Sequence, residues 1–250
     1  MGGELNFLRD HRYEIVFIFH LNGNVSLPEF LEDRMSMGVK MVLEQYEVGN
    51  FAVFAYLVGD EETGKGLIID PADETEMLIN EAKKRGLEIT YIINTHSHVD
   101  HIMGNAEMKR RTEAKIIIHE AEKEWLLHTP SHTLDMFGAQ PSPPADITVK
   151  DGDSITVGGI ALRVIHTPGH SPGGISLHGD GVVFTGDTLF VGSVGRTDFP
   201  FASWEQLEHS IKTRLYTLPG NTIVYPGHNY GFSPSSTIGD EMRNNQFVRG

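Results

Sequence analysis

From Met41 onward, short apolar runs and polar turns succeed one another without a break. MVLEQYEV and FAVFAYLV read as two strands meeting at the hairpin junction Gly49-Asn50, and Leu67 to Ile69 runs apolar into Asp70-Pro71. The period then changes. Met77, Leu78, Glu81, Ala82 and Arg85 separate an apolar from a polar helix face, Asp73 to Glu76 resembles a capping box, and Gly86 marks the stop. A strand over Ile89 to Asn94, a helix from about His101 to Arg111, a strand over Lys115 to Ile118 and a short helix over Ala121 to Leu127 follow. Strands and helices alternate here. Thr129 to Ala145 holds four prolines and one glycine without a period, which predicts a long loop of the kind that covers a site.

Beyond it β signals return, over Ser154 to Val157, Ile160 to Ile165, Gly174 to Leu177 and Val182 to Phe184, separated by glycine turns. A helix starts at Ser203, where Ser203 and Gln206 form a capping box and Trp204, Leu207, Ile211 and Leu215 make one stripe. Thr222 to Tyr225 is the last strand. Two strand-rich halves, each closed by a helix, predict an α/β protein in which two sheets pack face to face with helices outside. Residues 1–40 carry no sustained period and are expected to form an N-terminal extension, with Met35, Met37 and Met41 each able to be a start. Residues 41–250 make one domain.

Composition narrows the chemistry. The 250 residues include no cysteine, so disulfides, thiolate zinc sites, iron–sulfur clusters and cysteine nucleophiles are excluded together, while 13 histidines are present. Any metal must be held by imidazole and carboxylate. A formal charge of −14 repels polyphosphate backbones and anionic membrane surfaces. The basic clusters Lys83-Lys84-Arg85 and Lys109-Arg110-Arg111 fall late in expected helices, where cations complement the dipole. The longest early apolar run, Ile15 to Phe19, is far short of the roughly 20 residues that cross a bilayer, and charged residues precede it. A cytoplasmic protein acting on a small molecule, without nucleic acid or membrane, is the expectation, with a homodimer as one assembly open to it.

Candidate chemistry gathers at strand ends. After YIIN comes Thr95-His96-Ser97-His98-Val99-Asp100-His101. In an extended segment alternate side chains point the same way, so His96 and His98 can converge on one point while Asp100 and His101, at the corner, face a second. A helix cap accounts for Asp100 alone and leaves three imidazoles unexplained. Three more candidates sit at the same place in their elements: His170 after ALRVI, Asp187 after GVVF, and His228 after TIVY. Each divalent ion needs four or more donors with one position open, which this repeated pattern of apolar strand, small residue and ligand can supply.

Taken in order, THSHVDH, TPGHSPGG, FTGDTLF and YPGHNY resemble the metal motifs of the metallo-β-lactamase fold superfamily, over about residues 41 to 250. The resemblance implies a four-layer αβ/βα sandwich with a dinuclear site along one edge. GDTLFVGSVGRTDFP and STIGDEMRNNQF are most similar to the small glyoxalase-like hydrolases related to hydroxyacylglutathione hydrolase. It implies that His96, His98 and His170 hold one metal, that Asp100, His101 and His228 hold the other, and that Asp187 bridges them. Zinc is the first expectation, with iron or manganese able to take the same donors. Two ions roughly 3.5–4 Å apart can share a water and lower its pKa from 15.7 toward about 7, so the implied reaction is attack of a metal-bound hydroxide on an acyl bond, most naturally a thioester. Asp100 is implied to orient that hydroxide.

Rival functions follow from the same resemblance. Hydroxyacylglutathione hydrolases carry a further helical domain for the glutathione part, whereas 22 residues follow His228 here, so a smaller thioester or a lactone is an alternative substrate. Persulfide dioxygenases look similar around Gly195 to Phe199 but hold one iron at the positions matching His96, His170 and Asp187. Lactamases with a cysteine ligand are excluded. The remaining histidines, His11, His20, His119, His128, His132, His166, His178 and His209, are read as ordinary residues, with His166 beside the TPGH turn and His132 in the proline-rich loop set apart as neighbours of the site. Arg196, Thr197 and Asp198 are expected at its rim, and Phe190, Phe199, Phe201 and Met136 as candidate apolar walls.

Overall fold

In the computed structural model, residues 40–250 are described. The expected extension over residues 1–40, with His11 and His20, therefore lies outside the described residues except for Lys40. The first sheet has the order β1 (Met41–Val48), β2 (Val53–Asp60), β3 (Lys65–Ile69), β4 (Glu88–Ile93), β5 (Lys115–His119) and β6 (Ile147–Val149). Its first three strands run antiparallel and the rest parallel. The second sheet has the order β14 (Ser236–Thr237), β13 (Ile223–Pro226), β10 (Val182–Gly186), β9 (Ile175–Gly179), β8 (Ile160–His166) and β7 (Ser154–Val157). A small ribbon, β11 (Leu189–Phe190) with β12 (Ser193–Val194), leaves the second sheet beside the site.

Alternation puts one side chain of each pair into the space between the sheets. Phe54, Tyr56, Val58, Leu67, Ile69 and Ile93 face Leu162, Val164, Leu177, Val182 and Phe184 there. The opposite face of the first sheet is covered by α1 (Thr75–Lys84) and α3 (Asn105–Thr112), through Leu78, Ile79, Ala82 and Met108 against Leu57, Ile68, Ile92 and Ile116. The second sheet is covered by α6 (Trp204–Ser210), its π-type continuation Ile211–Leu215 and α7 (Ile238–Asn244), with Leu207, Ile211 and Leu215 fully buried. The layers are helix, sheet, sheet, helix, as the sequence pattern and the resemblance led us to expect. Among the described residues no helix is long and apolar enough to cross a membrane.

Local expectations fail at several places, and the last strand is β14, which pairs antiparallel with β13, rather than Thr222 to Tyr225. No capping box forms at α1: Glu74 takes a left-handed conformation at the cap, and its carboxylate accepts Gly49 N–H at 3.0 Å instead. At Ser203, by contrast, the hydroxyl does accept Gln206 N–H, at 3.3 Å. The helix from His101 to Arg111 is two helices, α2 (Val99–Ile102) and α3, with Gly104 between them, where an added Cβ would lie 1.7 Å from the Pro71 carbonyl oxygen. The loop over Thr129 to Ala145 contains a helix, α5 (Ser131–Phe137), none of whose residues is buried, so no apolar period announces it. Phe137 stacks on Phe51 with ring centroids 4.7 Å apart, which holds this helix against the first hairpin. One more short helix, α4 (Lys123–Leu127), precedes it.

Candidate metal centre

The strands β4, β8, β10 and β13 all deliver a loop to one edge of the sandwich, and the two sheets are hydrogen-bonded to each other there. Ile175 N–H donates to Thr95 O at 3.0 Å, Phe54 N–H donates to Gly227 O at 2.8 Å, and Val53 bridges His228. This stitching decides which side chains meet. All seven candidates arrive at the edge. Single donor atoms of His96, His98 and His170 lie within 4.8 Å of one another, as do those of His96, His101 and Asp187, and those of Asp100, His101 and His228. Asp187 touches both flanks, its Oδ2 standing 3.5 Å from His170 Nε2 and 3.4 Å from His228 Nε2, with Oδ1 3.3 Å from His101 Nε2. Asp100 is the more open carboxylate, 21% exposed against 9% for Asp187, and its Oδ2 is 3.6 Å from His228 Nε2.

Four of the five rings are turned by a contact on the far side. His170 Nδ1 faces Arg196 O at 2.8 Å, and His228 Nδ1 faces Phe51 O at 2.8 Å. A carbonyl has no proton to give, so both Nδ1 atoms carry a proton, and Nε2 is the nitrogen that each ring turns inward. Asp70 Oδ2 does the same to His101 Nδ1 at 3.0 Å, and Thr95 Oγ1 stands 3.1 Å from His96 Nδ1. The inward nitrogens then crowd one another, His98 Nδ1 to His170 Nε2 at 2.8 Å and His101 Nε2 to His228 Nε2 at 3.1 Å.

Electrostatics sort the donors. Burial, with the neighbouring imidazoles adding to it, holds His96 well below the usual histidine range, and burial with His170 brings His98 down to about 4. Both are thus neutral, lone-pair-bearing rings at neutral pH. Burial acts the same way on His101 but loses to Asp187, Asp70 and Asp100, which raise it well above the usual range. Burial raises Asp187, yet His101 and His228 hold it far below the carboxylate range.

Two buried atoms test the metal reading directly. Four buried side-chain atoms among the described residues have no hydrogen-bond partner: the hydroxyls of Ser171 and Ser236 and, in this cluster, His96 Nε2 and Asp187 Oδ1, the latter standing 3.3 Å from His101 Nε2. A buried polar group left unpaired costs about 1–3 kcal/mol. Divalent ions would satisfy both, and an imidazole and carboxylate set without thiolate suits zinc, iron or manganese. The residues fit such a group.

The surroundings divide the other candidates. Phe199 packs edge-on to His98 and His170, and Phe190 to His228. Phe201 instead meets Trp125, and Met136 is 73% exposed. Arg196 and Asp198 form an exposed two-point pair at 2.8–2.9 Å, with the guanidinium over the Phe199 ring. His166 stacks on His119 and its Nε2 meets Pro172 O at 3.0 Å, while His132 is exposed. Sequence reasoning missed Asp70, Thr95, Phe51 and Tyr230, whose ring stacks on His228 at 4.4 Å. Asp70 carried the same signal as the ligands, an acid directly after an apolar strand.

A family model described as the metallo-beta-lactamase superfamily matches residues 48–228. The chain is 35% identical over 217 residues to the mitochondrial persulfide dioxygenase ETHE1 of Homo sapiens, an alignment covering 84% of this chain and 77% of that one. It is 32% identical over 216 residues to the hydroxyacylglutathione hydrolase GloC of Haemophilus influenzae, covering 83% of this chain and 98% of that one. Among solved structures, the BLEG-1 B3 metallo-beta-lactamase superposes with a TM-score of 0.76 at 33% identity, over 84% of this chain and 100% of that one.

Proposed function

The chain belongs to the metallo-beta-lactamase superfamily, and from that premise we propose that it is a dinuclear-metal hydrolase cleaving an acyl bond, with a thioester as the first substrate class. The observation that carries the reading is the sharing of donors between two clusters. Asp187 reaches inward nitrogens on both flanks, and one His-rich and one Asp-containing set lie beside it. In this reading His96, His98 and His170 hold one divalent ion, Asp100, His101 and His228 a second, and Asp187 spans them.

Bound there, the ions supply Lewis acidity toward an acyl oxygen and acidify a coordinated water. The chain's own residues do the rest. Asp70, Arg196 O and Phe51 O fix which nitrogen of His101, His170 and His228 faces inward, so the rings need no reorientation to hold the ions, and His101, which the neighbouring carboxylates favour as a cation, would give up its inner proton to do so. The Asp100 carboxylate, the more open of the two inward acids, would accept a hydrogen bond from the attacking water and orient it. Phe199 packs edge-on to His98 and Tyr230 stacks on His228, so an apolar ring lies against one imidazole of each set.

Persulfide oxidation by a single iron on His96, His170 and Asp187 is the second reading, favoured by the 35% identity to ETHE1. Metal analysis of the purified protein, with a panel of a thioester, a lactone, a β-lactam and glutathione persulfide, separates the two. Two divalent ions per chain with thioester turnover, lost in His98→Ala, is the expected result. One iron, with oxygen consumed on the persulfide and no thioester turnover, would overturn it.

A further inference from the structure

We propose that Glu122 is a positioning residue of the metal centre, one buried carboxylate that sets the spacing between the loop bearing His96 and His98 and the loop bearing His170. The inference rests on the proposed metal reading. Glu122 ends a 3-10 turn, Glu120–Glu122, directly after β5. It is 1% exposed, an unusual place for a glutamate. Its Oε2 accepts both the N–H of Ser97, at 3.2 Å, and the Ser97 hydroxyl. Its Oε1 accepts Gly173 N–H at 2.8 Å. Ser97 lies between His96 and His98, and Gly173 lies three residues after His170, so the two carboxylate oxygens divide between the two donor loops.

The fit is close on both sides. A Cβ at Gly173 would stand 2.6 Å from Glu122 Cγ, so only glycine lets the loop descend onto the carboxylate. The loops are otherwise tied at their base, where Ile175 N–H meets Thr95 O, and at their tips, where His98 Nδ1 meets His170 Nε2. Glu122 is the tie between these two. A tip contact between ring nitrogens cannot set the spacing of atoms that must themselves turn to a metal. The Glu122 contacts can, because they engage backbone N–H groups and leave the imidazoles free. Among the described residues no lysine or arginine pairs with Glu122, and its two oxygens are met by the Ser97 and Gly173 donors of the two loops.

Glu122→Gln tests this because it keeps the shape and replaces one accepting oxygen by a donating NH2, which then opposes either Ser97 N–H or Gly173 N–H. Zinc affinity would be measured by competition with a chromophoric chelator in two backgrounds. His228→Ala leaves the His96, His98 and His170 set whole, and His98→Ala leaves the Asp100, His101 and His228 set whole. The expected result is a loss of roughly ten- to a hundredfold on adding Glu122→Gln to the first background and less than about threefold in the second. Equal losses in both, the signature of general loosening, would overturn the proposal, as would no loss in the first. Should Glu122→Gln fail to fold, Ser97→Ala, which removes only the hydroxyl donor, is expected to give the same preference for the first background at a smaller size, and its absence would overturn the proposal equally. Failure of the unsubstituted chain to bind zinc at all would instead overturn the metal reading itself.

Discussion

Asp70 Oδ2 and His101 Nδ1 meet at 3.0 Å across 31 residues of chain, and the contact is what turns the other nitrogen of His101 toward Asp187 and His228. Asp70 is 1% exposed and left-handed at φ 48°, and its carboxylate also accepts Thr95 N–H at 2.8 Å and Thr95 Oγ1–H at 2.7 Å. Asp70→Ala strands three buried donors and is expected to cost about 2–4 kcal/mol in urea denaturation and to lower bound metal. Asp70→Asn tolerates the left-handed backbone but cannot accept at both oxygens, so metal content should fall with a smaller stability loss. Unchanged metal content in both variants would show that His101 is oriented by something else.

Asp60 performs the equivalent service at the far end of β2. Val53, at the start of that strand, meets His228, whereas Asp60 at its end accepts Gly159 N–H at 2.8 Å from the second sheet, with Thr63 Oγ1–H and Glu62 N–H each at 3.0 Å. Burial pushes its carboxyl up, but these hydrogen bonds win and hold it below the usual range. Asp60→Ala should therefore destabilise by about 2–4 kcal/mol, measured by urea titration, while metal stoichiometry stays at that of the unsubstituted chain. Loss of metal along with stability would contradict the separation of the two ends.

Gly104 separates α2, which carries Asp100 and His101, from α3. Its φ of −84° is open to any residue, so the restriction is purely steric: a Cβ would fall 1.7 Å from Pro71 O and 2.9 Å from Thr75 Cγ2. Gly104→Ala is expected to lower the melting temperature by several degrees, equivalent to about 1–3 kcal/mol of overpacking, and to displace α2. Thermal unfolding and metal content, measured together, check both parts. A melting temperature equal to that of the unsubstituted chain would mean that the Pro71 turn yields freely.

His119 sets part of the acid sensitivity. Burial first, and the stacked His166 second, hold it below the usual histidine range. A histidine depressed in the folded state takes up its proton more readily once unfolded, so stability is full above the unfolded value near 6.5 and declines as pH falls from there toward the folded value. In metal-loaded protein, His119→Phe should flatten the decline of the urea midpoint between about pH 7 and pH 5. Parallel curves for the two proteins would remove His119 from the account.

How much was legible in the chain depends on how local each cause is. The alternation of His96 and His98 is local, because a strand's period of two alone puts them on one side. The strand-end positions of His170, Asp187 and His228 were equally readable. Glu122 was not, since a buried acid that serves backbone N–H groups far along the chain looks like any other Glu in sequence, and Asp70, though it follows an apolar strand, gave no sign there of which ring it would turn. The same holds for the unformed cap at α1, where Glu74 is diverted to Gly49 by the neighbouring hairpin. Helix α5 escaped notice because its anchor is one stacked ring pair and no buried face.

Sequence by itself determined the residue types and the local grouping: no thiolates, imidazoles and carboxylates at strand ends, and the layers that strand and helix periods demand. The tertiary structure alone decided that those strand ends share one edge and which nitrogen of each ring faces inward. The reason is physical. A strand's period controls only the direction of a side chain, to within one residue's neighbourhood, whereas convergence of His96, His101, His170, Asp187 and His228 requires two sheets in register. That register comes from contacts such as Phe54 N–H to Gly227 O and Ile175 N–H to Thr95 O, which join segments far apart in the chain.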